Sequence, residues 1–248
     1  MSTTLSYALW AVIALIALVW LPFVAVVFAV TAPFDAGRYA AGRCFRRAGI
    51  AVGTLIPLWD FRVTGVRITD PRRPYVAVAN HESYVDVFLI SHVPWEMKWL
   101  SKEAIFRIPV MGWMMRMAGD IEVRRGDRRS RAEALEQIRD RLRKRVSVMI
   151  LPEGTRSPDG QLLPFKDGAF RVAVEMGLPI LPIAVAGTRH AMAKDSFAIR
   201  RARAIAHVLP PIETAGLTRD DVPALRDRVH GMIGQAREAL LRQLGEDA

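Results

Sequence analysis

The sequence predicts an α/β fold, a mostly parallel central sheet flanked by helices, with an N-terminal membrane-anchoring helical segment. Three observations carry this: strand-like and helix-like stretches alternate from Phe61 onward, a long uncharged apolar run precedes them, and two polar motifs each follow directly on a predicted strand. Repeated strand–helix alternation builds parallel sheets because each crossover helix returns the chain to the same edge.

The apolar run comes first in the chain. No charged side chain occurs before Asp35, and Tyr7 to Val30 is apolar throughout, broken only by Pro22. A helix of that length extends roughly 36 Å, against a hydrocarbon core of about 30 Å. A cleaved leader would need a basic start and a shorter apolar core, and neither is present. Residues 5–30 are therefore expected to anchor the protein, either spanning the bilayer or dipping in and out through a bend at Pro22. Arg38, Arg43, Arg46 and Arg47 follow, opposed only by Asp35. Such flanking cations favour the cytoplasmic side, which places the remaining chain on the cytoplasmic face of the cell membrane. Residues 36–58 mix arginines with apolar side chains, as an interfacial amphipathic segment does. Trp59 is expected at head-group level. The domain organisation expected is thus 1–58, membrane helix plus interfacial segment, and 59–248, α/β domain.

Within that domain residues 61–68, 75–79, 97–101, 120–124, 147–151, 179–186 and 202–209 read as strands. Residues 85–92, 109–119, 127–145, 166–177 and 220–244 read as helices. Leu135, Ile138 and Leu142 give one of these an apolar stripe at helical spacing. Met111 to Met117 is expected to form core or the wall of an acyl-chain pocket, since methionine fills irregular apolar space.

The chain has 248 residues, 51% of them hydrophobic, and a net charge of +10. That charge calls for an anionic partner, and beside an apolar anchor an anionic membrane surface fits better than nucleic acid, whose stacking aromatics are not grouped around these arginines. Cys44 is the single cysteine, so an intrachain disulfide and a cysteine-based metal site are excluded. His92, His190, His207 and His230 show no metal-ligand spacing, and no metal is expected.

The first motif, Asn80-His81-Glu82-Ser83-Tyr84-Val85-Asp86, follows the strand at 75–79. A neutral imidazole there can take a proton from a hydroxyl, and a carboxylate can fix its tautomer. Residues i and i+5 share no helix face, so the two meet only if His81 lies in the turn and Asp86 in the next helix. The same residues also read as a turn histidine and a helix-cap aspartate. The second motif, Glu153-Gly154-Thr155-Arg156-Ser157, follows the strand at 147–151 and offers a guanidinium and backbone N–H groups to an anion. An ordinary polar loop is its bland reading. Lys102 ends a strand where its ammonium could meet an oxyanion, and Lys166 could hold phosphate or cap a helix.

NHESYVD, GDIEVRR, PEGTRS and LPILPI, with PFKDGAF between the last two, resemble in order and spacing the four blocks of the glycerolipid acyltransferases. These are the PlsC-like lysophosphatidic acid (1-acylglycerol-3-phosphate) acyltransferases. The resemblance runs from about Val63 to Ala186 and is most specific in the first and third blocks. It implies that His81 is a general base oriented by Asp86, and that Glu153, Gly154, Thr155 and Arg156 belong to the block contacting the acceptor's phosphate. Arg125 matches the basic residue of the second block, with Arg124 as the neighbouring choice. Glu122 stands where that block carries an aliphatic or aromatic residue. Pro182 matches the proline of the fourth block, which the resemblance implies shapes the pocket. The implied reaction moves a fatty-acyl group from an acyl thioester to the sn-2 hydroxyl of 1-acylglycerol 3-phosphate in phospholipid synthesis. It uses acyl-CoA or acyl-carrier protein as co-substrate and no cofactor. The backbone near Gly154 would meet the oxyanion. Alternatives are another acceptor, such as a lyso-ornithine lipid or glycerol 3-phosphate, and a non-catalytic lipid-binding protein.

Overall fold

A computed structural model describes residues 3–245. Helices α1 (Thr3–Thr31) and α2 (Tyr39–Leu55) lead into β1 (Trp59–Gly65), β2 (Val76–Ala79), α3 (Asp86–Ile90), β3 (Met97–Lys102), α4 (Glu103–Phe106), α5 (Met111–Ala118) and β4 (Ile121–Val123). Then come α6 (Arg128–Arg143), β5 (Ser147–Ile150), α7 (Gly168–Met176), β6 (Ile180–Ala186), α8 (Thr188–Ala191), β7 (Ala202–Val208) and α9 (Val222–Leu244). The seven strands form one sheet in the order β1-β7-β6-β2-β5-β3-β4. Every neighbouring pair is parallel except β6 with β7. The expected α/β class and mostly parallel sheet are therefore observed.

The central strands β2, β5 and β6 are buried along their whole length, which is why they read as continuous apolar runs without alternation. One face of the sheet packs on α6, α7 and α9 through Ile138, Leu142, Phe170 and Val229. The other packs around Leu89, Ile90 and Trp95. Asp127 caps α6 by accepting from the N–H groups of Arg129 and Ser130, which fixes where that charged helix begins.

Two N-terminal expectations change. Pro22 does not fold α1 into a hairpin, because the helix continues unbroken from Thr3 to Thr31 and the chain reverses at residues 32–38 instead. Trp59 is not at a free surface: it is buried, stacked on Phe61 at 5.2 Å and Phe88 at 5.9 Å. Helix α1 is long and apolar enough to cross a membrane. One flank is covered by protein along most of its length. Near its start Ser6 accepts from the Ile199 N–H, and Leu9 and Ile13 join a cluster with Val52 and Trp59. Further on, Val24 packs with Phe45, Met114 and Met115, and Phe28 lies beneath the Arg38 guanidinium. Tyr7, Leu15, Leu18, Phe23, Val26 and Val30 project from the uncovered flank.

Candidate active site

The first three sequence motifs converge on one edge of the sheet, the C-terminal end of its parallel strands, whereas LPILPI leads into the N-terminal half of β6. Open α/β sheets bind ligands there, because successive strand–helix loops splay apart. His81 and Asp86 follow β2, the Glu153–Ser157 loop follows β5, Lys102 ends β3, Arg125 lies two residues past β4, and Thr188 lies two past β6.

His81 sits in the turn and Asp86 opens α3, so the five-residue spacing closes into a contact of 2.7 Å between Nδ1 and Oδ2. The same oxygen accepts from the N–H groups of Glu82 at 2.9 Å and Ser83 at 3.2 Å, and the other oxygen accepts from the Thr188 hydroxyl. Asp86 is fully buried, and this set of donors offsets the desolvation of its charge. With the carboxylate accepting at Nδ1, the neutral imidazole presents its lone pair at Nε2. That nitrogen makes no hydrogen bond among the described residues, and the side chain is 13% exposed. A buried amide fixes the strand end: Asn80 donates to the Val185 carbonyl at 2.9 Å and accepts from its N–H at 2.8 Å, locking β2 to β6.

The two motifs are clamped together. The Glu153 carboxylate accepts from the His81 N–H at 2.6 Å and the Leu163 N–H at 3.0 Å, and Ser157 N–H donates to the His81 carbonyl at 3.0 Å. Both Glu153 oxygens are thus engaged inside the protein, beneath the open edge. Burial pushes Glu153 up to about 7 against the pull of those donors, and burial, helped by the negative charge of Asp86, pushes Glu82 to about 7 against Arg237.

Gly154 adopts φ +71°, and a Cβ there would stand 2.5 Å from the Lys166 ammonium. The positive φ favours glycine, and the missing Cβ lets Lys166 lie across the loop. The Gly154 N–H itself bonds the Leu151 carbonyl at 3.0 Å, so it is spent on the turn and unavailable to an oxyanion. The N–H groups of Thr155 and Arg156 form no hydrogen bond among the described residues. Arg156 stacks on Tyr84, its Cζ 3.9 Å from the ring centre, and reaches Asp195 at 3.4 Å. Its second terminal nitrogen is buried with no partner. A guanidinium so held keeps donors to spare.

The two arginines of the second block separate clearly. Arg124 is paired with Glu103 at 3.1 Å and with Asp127, whereas Arg125 is exposed with no ion pair among the described residues. Glu122 faces Arg116 at 3.5 Å. Lys102 is exposed, also without a partner among the described residues. Among the described residues no His, Cys, Asp and Glu grouping could hold a metal ion. Sequence reasoning missed Thr188, the structural part of Asn80, and Arg237, whose Nε lies 2.7 Å from Glu82. The one available sign was that Thr188 follows a buried strand.

The Acyltransferase family model matches residues 60–186. The chain is 42% identical over 144 residues to a chloroplastic 1-acyl-sn-glycerol-3-phosphate acyltransferase of Brassica napus, covering 58% of this chain and 42% of that protein. It is 36% identical over 182 residues to the human 1-acyl-sn-glycerol-3-phosphate acyltransferase alpha, covering 71% of this chain and 63% of that one. The chain thus spans less than two thirds of the length of these relatives. The crystal structure of the 1-acyl-sn-glycerophosphate acyltransferase PlsC from Thermotoga maritima superposes with a TM-score of 0.70 at 26% identity, covering 92% of this chain and 95% of that one. With the family's match extending over half its length and ending on β6, the chain belongs to the Acyltransferase family.

Proposed function

We propose that this protein transfers a fatty-acyl group from an acyl thioester to the free sn-2 hydroxyl of 1-acylglycerol 3-phosphate, giving phosphatidic acid. The observation that carries the reading is the His81 ring, held by Asp86 at Nδ1 and open at Nε2, beside a loop whose arginine has unused donors. Nε2 accepts the hydroxyl proton as the oxygen attacks the thioester carbonyl. Asp86 stabilises the imidazolium that forms, and the unbonded N–H groups of Thr155 and Arg156, with Lys102, face the developing oxyanion. Collapse expels the thiolate, which takes the proton back from Nε2. Carbon–oxygen bond formation balances carbon–sulfur cleavage, so the sequence closes without a metal or a bound cofactor.

Arg156, Lys166 and Arg125 hold the acceptor's phosphate, and Glu153 with Gly154 positions the loop that presents Arg156. Holding the phosphate places the hydroxyl, and positioning of that kind supplies much of the rate. Acyl-CoA and acyl-carrier protein both deliver the thioester this chemistry needs.

The N-terminal hairpin holds the site on an anionic membrane. Since α1 is covered on one flank from Ser6 to Phe28, it lies along the bilayer surface with its apolar flank immersed and the catalytic domain on the cytoplasmic face. Purified protein supplied with acyl-CoA or acyl-carrier-protein donors, and with 1-acylglycerol 3-phosphate, glycerol 3-phosphate or a lyso-ornithine lipid, tests the acceptor by product mass. Phosphatidic acid is expected. Transfer confined to another acceptor, or none at all, contradicts the reading.

A further inference from the structure

Two carboxylates are buried side by side beneath His81. Asp86 belongs to the dyad, and Glu82, 3% exposed, lies one turn away. The Thr188 hydroxyl stands between them, donating to Asp86 Oδ1 while lying 3.5 Å from Glu82 Oε2. A hydroxyl has one hydrogen, so the two acids compete for it. What separates them is Arg237 of α9: its Nε donates to Glu82 Oε1 at 2.7 Å, and its terminal nitrogen donates to the Gly160 carbonyl at 2.6 Å. Its side chain is 11% exposed, and it lies outside the stretch that the family model matches.

We infer that Arg237 is a positioning residue for the dyad, drawing the Glu82 carboxylate toward α9 so that the single Thr188 hydrogen stays on Asp86. Without the guanidinium, an ionised Glu82 accepts the hydrogen of Thr188, and a protonated Glu82 donates to its oxygen. The ionised form draws the hydroxyl from Asp86, which then holds the imidazole less firmly, whereas the protonated form leaves the Thr188 hydrogen on Asp86. The groups facing Glu82 are Asp86 from its own turn, Thr188 and the Arg189 backbone from α8, and Arg237 from α9. Burial has already lifted Glu82 to about 7, and Arg237 opposes that rise, so removing Arg237 moves the proton uptake of Glu82 to higher pH.

The inference rests on His81 being the base, and its test separates the two. R237Q, E82Q/R237Q and wild type are compared by kcat and KM, by thermal midpoint, and by NMR titration of the His81 imidazole, which needs no substrate. Compared at a pH high enough for Glu82 to be ionised in wild type and R237Q alike, R237Q is expected to stay folded and lose roughly tenfold or more in kcat, the effect of one buried charge-assisted hydrogen bond, with little change in either KM. The loss should shrink as pH falls and Glu82 takes up its proton. Its His81 titration should shift, and E82Q/R237Q should recover most of both, because the competing acid is gone. A folded R237Q with unchanged kcat and titration overturns the inference. So does a double variant no better than R237Q, which would make Arg237 only a tie between α9 and the Gly160 loop. A wild type inactive on every lyso-lipid defeats the proposed function alone, and the titration still decides whether Arg237 orders the dyad.

Discussion

At the C-terminal edge of the sheet Asp86 and Glu153 are held mainly by N–H and O–H donors, whereas at the N-terminal edge Glu96 and Asp120 are held by the cations Lys98 and Arg46. Both settings are buried. At the N-terminal edge Lys98 lies 2.9 Å from Glu96 and 2.7 Å from the Arg38 carbonyl, while Arg46 pairs with Asp120 and stacks over Phe45. Gly42 lets α2 approach this cluster, since a Cβ would stand 2.0 Å from Glu96 Oε1. Burial drives Glu96 up and Lys98 down, each opposed by its partner. Cation meets anion there, and α2 is pinned to the sheet. At the C-terminal edge Asp86 and Glu153 are neutralised by dipoles, so Lys166, the unpartnered terminal nitrogen of Arg156 and the Nε2 of His81 are left for something else. Oppositely charged pairs tie α2 to the sheet at one edge, and hydrogen-bond donors hold the dyad at the other.

That contrast can be broken by substitution. His81→Ala should cost roughly a thousandfold or more in transfer rate with the thermal midpoint little changed. Near-normal turnover in the folded variant would remove His81 from the chemistry. Arg46→Ala should do the reverse. It leaves Asp120 buried without its cation, at about 3–5 kcal/mol of stability by denaturant unfolding, while kcat per folded molecule is retained. Lost turnover at intact stability would show that the lower cluster takes part in catalysis. Arg156→Ala should worsen kcat/KM for the phosphate-bearing acceptor about 10- to 100-fold, corresponding to about 1.5–3 kcal/mol, and leave the donor KM alone. An unchanged acceptor dependence would make Arg156 a structural partner of Tyr84.

The smallest effect concerns pH. Glu153 is raised to about 7 from the 4.5 of an ordinary glutamate. Below pH 4.5 it is protonated in both folded and unfolded states, and between 4.5 and about 7 only the folded protein keeps the proton. Stability therefore falls as pH rises through that window and levels off above it. Glu153→Gln should make the slope shallower by up to about 1.4 kcal/mol per pH unit, read from unfolding curves across the window. An unaltered slope would mean that Glu153 is ionised throughout.

Most of this fold was legible because β2, β5 and β6 are short apolar runs and α6 and α9 are long and periodic. Convergence of His81, Asp86 and the Glu153–Ser157 loop on one edge was legible for the same reason, since parallel topology sends every strand end to one side. What could not be read was contact between distant segments. Thr188 meets Asp86 across 102 residues of chain, and Arg237 meets Glu82 across 155, with no spacing to announce either. Trp59 misled because an aromatic at a helix–strand junction looks interfacial in sequence, while Phe61 and Phe88 bury it. Pro22 misled because a proline bend is a local expectation, and packing against α2 and α5 keeps α1 continuous.

The central claim is that His81 and Asp86 act as one unit at the open edge. A double-mutant cycle on transfer to 1-acylglycerol 3-phosphate tests it most directly, comparing His81→Ala, Asp86→Asn and the double variant with wild type under single-turnover conditions. If Asp86 works through the imidazole, each single variant is severely impaired and the double variant is scarcely slower than His81→Ala alone. Losses that multiply in the double variant would contradict the claim, because the two residues would then be contributing separately.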